Sequence, residues 1–181
     1  MTRPLSILRN GLRRFWRATE GTATVEFVVV FPVIMMLLFQ SMEASWIMVR
    51  QTMLDRAVDL TVRDLRLGHL PNPTNDSLRQ HICSLTTGIA NCDSSLMIEL
   101  KPLDTTTFAL PSTNAPCVDR TAKIQPVTTV QQGVGDNLML IRVCAVVDLM
   151  FPGTGLGLKL PKDASGGLDL IATSAFVNEP S

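Results

Sequence analysis

The chain opens its most regular pattern at Phe27, where thirteen consecutive residues to Phe39 (FVVVFPVIMMLLF) lack a polar side chain. Thirteen alone match the core of a secretory signal as well as part of a membrane span. The pattern continues as QSMEASWIMV up to Arg50, so Phe27–Val49 makes 23 residues, or ~34 Å of helix against a bilayer core of about 30 Å. Trp46 near the far end suits a membrane interface. A cleaved signal needs small residues after the apolar core, and Met42-Glu43-Ala44 matches that poorly. From Arg50 the pattern changes but stays helical: Leu54, Ala57, Val58, Thr61, Val62 and Leu65 form one stripe opposite charged positions. Gly68, then Pro71 and Pro73, read as cap and stop. The expectation is one helix from about Thr24 to Leu67, half in lipid, with an outer half whose stripe needs a cover.

Beyond residue 68 the periods shorten. Asn75-Asp76 can cap a short helix whose Leu78, Ile82 and Leu85 share a face and which ends at Gly88. Strands are expected at Leu96–Leu100, about Ala122–Val130, Leu138–Phe151 (with a bend) and Leu168–Val177, separated by Pro-, Thr- and Gly-rich stretches. No internal repeat is visible.

Charge sharpens the membrane reading. The 16 Lys+Arg balance 16 Asp+Glu over 181 residues, with mean hydropathy +0.25, which argues against a disordered tail or a nucleic-acid binder. The balance is uneven: Arg3, Arg9, Arg13, Arg14 and Arg17 precede the apolar run, opposed only by Glu20. This asymmetry places the N-terminus in the cytoplasm and everything after Arg50 outside.

Candidate chemistry concentrates in Gly21-Thr22-Ala23-Thr24-Val25-Glu26-Phe27. A carboxylate at the edge of hydrocarbon costs ~2.5–3.5 kcal/mol unless it is partnered, and no Lys or Arg lies on the next two turns. Cleavage after Gly21 would create a partner: the α-ammonium of Thr22, presented by a neighbouring subunit to Glu26, would also set the register between packed helices. The plainer alternatives are that Glu26 marks the lipid boundary, Gly21 is an ordinary break, and Pro32 only kinks the span. Glu43 is expected to be hydrated near the outer interface, with contact to a partner subunit as the alternative.

Gly21 followed by TATVEF resembles the prepilin-peptidase site of type IV pilin-like proteins, in the spacing of the tight-adherence (Tad/Flp) system. The fuller string GTATVEFVVVFPVIMMLLFQSME, with Pro32 inside it, resembles the TadE-like pseudopilins over about residues 21–63. The ending Asn178-Glu179-Pro180 fits the same resemblance. Phe27 stands where Flp pilins carry tyrosine, and the body is far larger than a Flp pilin. The resemblance implies a minor pseudopilin of the bacterial inner membrane, possessing a leader (1–21) removed after Gly21. Thr22 would be the new N-terminus, with Glu26 and Phe27 serving processing and assembly. Its implied partners are a prepilin peptidase, other Tad pseudopilins, the inner-membrane assembly platform and the lipid bilayer. The implied fold is α+β and pilin-like: a long membrane helix (22–67) carrying a small, disulfide-bonded, mainly antiparallel β domain (68–181) packed on its C-terminal half.

Cys83, Cys92, Cys117 and Cys144 all lie outside the span, an even count that implies two disulfides in an oxidising compartment, with three possible pairings. Cys83–Cys92, closing a short loop, with Cys117–Cys144, tying a loop to the central strand, is favoured. A zinc site would lack a CxxC knuckle and have only His69 and His81 to draw on. The glycines at 133–135 and 153–157 are read as loops, since no GK[ST] follows, and Lys159 and Lys162 as solvated charges. With no nucleophile–base pattern, neither catalysis nor a cofactor is expected. The alternative to a pilus role is an unprocessed single-pass envelope protein whose exported domain binds a partner or ligand.

Overall fold

The computed structural model describes residues 22–106, 117–122, 128–133 and 135–179. Two compact units divide the chain, Met1–Ser41 and Met42–Ser181. Helix α1, Thr22–Arg66, contributes to both. In the first unit its large apolar side chains from Val25 to Phe39 are almost all exposed. The helix continues through Pro32, which removes one backbone hydrogen bond without ending it.

In the second unit α1 becomes one-sided. Leu54, Ala57, Val58, Thr61 and Val62 are buried, and the Thr61 hydroxyl donates back to the Ala57 carbonyl at 2.7 Å, which satisfies that buried hydroxyl. The helix ends as the glycine signal implied. Gly68 takes φ +70°, its N–H bonds to Leu65 O at 3.2 Å, and the His69 N–H bonds to Asp64 O at 2.9 Å, closing off the last carbonyls.

Helix α2, Asn75–Leu85, is capped one residue earlier than expected. Thr74 is the N-cap, and Thr74 and Ser77 exchange side-chain-to-backbone bonds in both directions. Leu78 and Ile82 are buried, whereas Leu85 is exposed; it is the last helical residue, and the chain turns extended at Thr86 rather than at Gly88. A four-residue helix α3, Cys92–Ser95, leads directly into strand β1, Leu96–Pro102. Strand β2, Leu138–Val147, a five-residue helix α4, Gly155–Lys159, and strand β3, Leu168–Val177, complete the described elements.

The sheet order is β1-β2-β3, antiparallel throughout. Ile98 pairs with Val143 and Val143 with Ala172, carrying the core residues in step across all three strands. Alternation divides β2 between two covers. Ile141, Val143 and Ala145 join Ile98, Leu100, Leu170 and Ala172 against α1 and α2, while Cys144 and Val146 form a second cluster with Met97, Cys117 and Val118. β3 is an edge strand, buried and exposed in turn along most of its length.

Three expectations change. The strand expected over Leu138–Phe151 ends at Val147, because the residues beyond it turn away to meet α1. The loop expected at 153–157 runs into α4 from Gly155, and Gly157 sits so close to Phe151 and Pro152 that a side chain there would overlap their backbone. The strand expected over Ala122–Val130 falls largely on residues 123–127, outside the described residues; what is described is one parallel bridge from Val130 to Leu100. The central expectation stands: a long apolar helix with a small antiparallel sheet packed on its C-terminal part, an α+β fold.

Candidate functional site

Gly21 and the basic leader lie outside the described residues, as do Val134 and Pro180. Thr22 is the first residue of α1. Glu26 is exposed, without a hydrogen-bond or ion-pair partner among the described residues. Thr22 and Glu26 are four residues apart, and so stand on one helical face. Phe27 is exposed, with its ring centroid 5.1 Å from that of Phe31. Ala23, Glu26, Phe27, Val30, Phe31 and Ile34 line one shallow groove along this face. Helix α1 is long and apolar enough to cross a membrane, and its most apolar window is not buried within the protein. An apolar surface of that extent calls for lipid or other helices around it.

A second carboxylate was misread from sequence. Glu43, expected to be hydrated, is 1% exposed. Its Oε2 accepts the Phe151 N–H at 2.8 Å and its Oε1 the Met150 N–H at 3.2 Å. The reason is periodic: Glu43, Ile47, Arg50 and Leu54 follow at i, i+4, i+7 and i+11, so the buried stripe of α1 starts with an acid. Directed inward, the carboxylate must be satisfied, and the chain leaving β2 supplies two peptide donors. Arg50 adds a tie at the same junction, donating from Nη1 to Asp148 O at 2.6 Å, with its guanidinium 5.2 Å from the Trp46 ring centre. The signal was available in the stripe, had it been followed back past Leu54.

The contacts continue outward from Asp148. Arg120 Nη2 donates to its carboxylate at 2.7 Å and holds it below the usual carboxylate range, while the same bond raises the Arg120 guanidinium. Arg120 Nε donates to Ser165 Oγ at 2.9 Å. Asp163 in turn accepts the N–H groups of Ser165 and Gly167, so one polar chain links α1, the exit of β2 and the entry to β3.

Both disulfides are formed, Cys83–Cys92 and Cys117–Cys144, in the favoured pairing. Asp169 stands beside the second, its carboxyl raised by burial and then by Asp163, with Arg142 opposing; sulfurs joined to each other are not thiolate ligands. The two histidines meet on one carboxylate: His81 Nε2 is 3.1 Å from Asp64 Oδ2, and His69 Nδ1 is 3.4 Å from Asp64 Oδ1. Lys159 and Lys162 are exposed, and Lys162 Nζ reaches Pro152 O at 3.0 Å.

Comparison with known proteins matches one segment of the chain. Residues 21–63 fit the family model of TadE-like proteins, so the match starts at the glycine before α1 and ends inside its buried stripe. No curated protein and no solved structure matches the chain.

Proposed function

We propose that this protein is a minor pseudopilin of a tight-adherence secretion system, processed by a prepilin peptidase and supporting the assembly of adhesive pili. The observation that carries the reading is the matched segment itself: a glycine, a carboxylate five residues on, and then an apolar helix left exposed among the described residues. Cleavage after Gly21 leaves an α-ammonium on Thr22. The Glu26 carboxylate, exposed on the same face, is then positioned to pair with the ammonium of an adjacent helix. Such a pair in lipid is stabilising only with good geometry, and so it selects register between subunits as well as joining them. Phe27, Phe31 and the residues between them supply the packing surface.

In this reading α1 spans the inner membrane once, the arginine leader holds the N-terminus in the cytoplasm, and the disulfide-bonded domain lies in the periplasm, where both bridges persist. Its partners are the peptidase, other Tad pseudopilins and the assembly platform, and the chain performs no catalytic step of its own. The test is Glu26→Gln in the native host. The variant is expected to insert at normal level but to lose processing or piliation. Normal piliation at normal protein level contradicts the pairing role.

A further inference from the structure

The geometry points to a second membrane contact: the segment Leu149–Leu160, clamped to Glu43, rests in the interfacial layer of the bilayer that α1 enters. This rests on the reading of α1 as a membrane span.

The position follows from residues of the second unit alone. Trp46 and the Arg50 guanidinium held against it mark the level at which lipid gives way to water. Glu43 precedes Trp46 by three residues and Arg50 by seven, which places it ~4.5 Å and ~10 Å deeper along the helix. The two N–H bonds to Glu43 hold Met150 and Phe151 at that depth. Irregular backbone is tolerated there only where its polar groups find partners in the protein. Here Met150 and Phe151 give their N–H groups to the carboxylate, and Thr154 N–H goes to Phe151 O, Leu158 N–H to Thr154 O and Leu160 N–H to Leu156 O.

Its side chains suit that medium. Leu158 is 67% exposed and Met150 is 50% exposed. On α1 next to Glu43, Met42 is also exposed. Lys159 and Lys162 follow directly, in the arrangement that places apolar groups among acyl chains and ammonium groups at lipid phosphates. Gly157 lets α4 close onto Phe151 and Pro152, so the segment is presented as a compact knob. The occupant is therefore the bilayer surface, continuous with the lipid around α1.

The test places one tryptophan at Leu158 in the full chain, with Trp16 and Trp46 changed to Phe, reconstituted in phosphatidylethanolamine–phosphatidylglycerol vesicles brominated high on the acyl chains. Leu37→Trp in the same background reports on the span, and Leu67→Trp on the far end of the domain. The expected result is blue-shifted emission from Leu158→Trp that loses half or more of its intensity to the brominated lipid, as Leu37→Trp does, while Leu67→Trp keeps its emission. Met150→Trp should repeat the result if the first variant folds poorly. Emission at Leu158 and Met150 behaving like that at Leu67, with Leu37 still quenched, overturns the contact and leaves the span standing. Emission shielded from both brominated lipid and aqueous acrylamide assigns the knob to another copy of the chain and equally overturns it. An unquenched Leu37 reporter removes the span, and the contact with it.

Discussion

Helix α1 is apolar in both of its parts, yet the two present that character differently. Before Met42 the apolar residues run consecutively and face every direction, and the large ones are almost all exposed. After it they recur on one stripe, and Leu54, Ala57 and Val58 are buried to 1% exposure or less. An uninterrupted run demands an apolar surrounding on all sides, whereas a stripe demands a single partner face, which here is the sheet and α2. Each part also holds a carboxylate. Glu43 is satisfied inside the domain by two peptide N–H groups, and Glu26 has no partner among the described residues. Of these two carboxylates, one is therefore satisfied within its own unit, and the other is left open for a partner that the proposed assembly would supply.

The contrast predicts a ranked series of effects. Leu54→Ala should lower domain stability by about 4 kcal/mol, in the upper part of the usual range because the site is completely enclosed. Leu37→Ala, on a side chain 66% exposed, should leave the domain's denaturation midpoint unchanged. Denaturant titration of the full chain in detergent measures both, and equal losses would erase the distinction. Opening Cys117–Cys144 should cost about 3.5 kcal/mol and opening Cys83–Cys92 about 2.5 kcal/mol, since the former closes the longer loop, 27 residues against 9. Paired Cys→Ala variants in the same titration test the order.

Glu43→Gln comes next, at about 1.5–3 kcal/mol, because an amide offers one acceptor to two donors and its NH₂ faces one of them. Faster amide exchange at Met150 and Phe151 is the expected readout, with no such change in Glu26→Gln. The smallest effect is acid sensitivity. Arg120 depresses the Asp148 carboxyl, so its contribution is present above the unfolded carboxylate value of about 4 and is lost as pH falls through the lower folded value. With the Asp148 side chain 69% exposed, solvent screening keeps this below about 1 kcal/mol. Arg120→Met should flatten that part of the stability–pH curve.

Elements set by local pattern were legible in the sequence. Gly68 announced the end of α1, and the expected strand Leu168–Val177 is the observed β3 to the residue, because its alternation follows one buried face. The string from Gly21 through Glu26 and Pro32 carries the TadE-like resemblance, and the family model matches over 21–63. What stayed hidden depends on contacts distant in sequence. Glu43 and the peptide N–H groups it binds are 107 and 108 residues apart, and no window of the chain contains both. The short helix α4 was missed for a related reason: LGLK is a poor helical sequence, and the close approach of Gly157 to Phe151 and Pro152 accompanies the fold there. Both histidines were seen separately, and only the turn after α1 brings them to Asp64.

The most direct test of the central claim is the intact mass and N-terminal peptide sequence of the protein purified from its native membranes. The account predicts a chain beginning at Thr22, with the new α-ammonium four residues from Glu26. A chain retaining residues upstream of Gly21, in cells whose prepilin peptidase is active, would contradict it and leave an anchored envelope domain in its place.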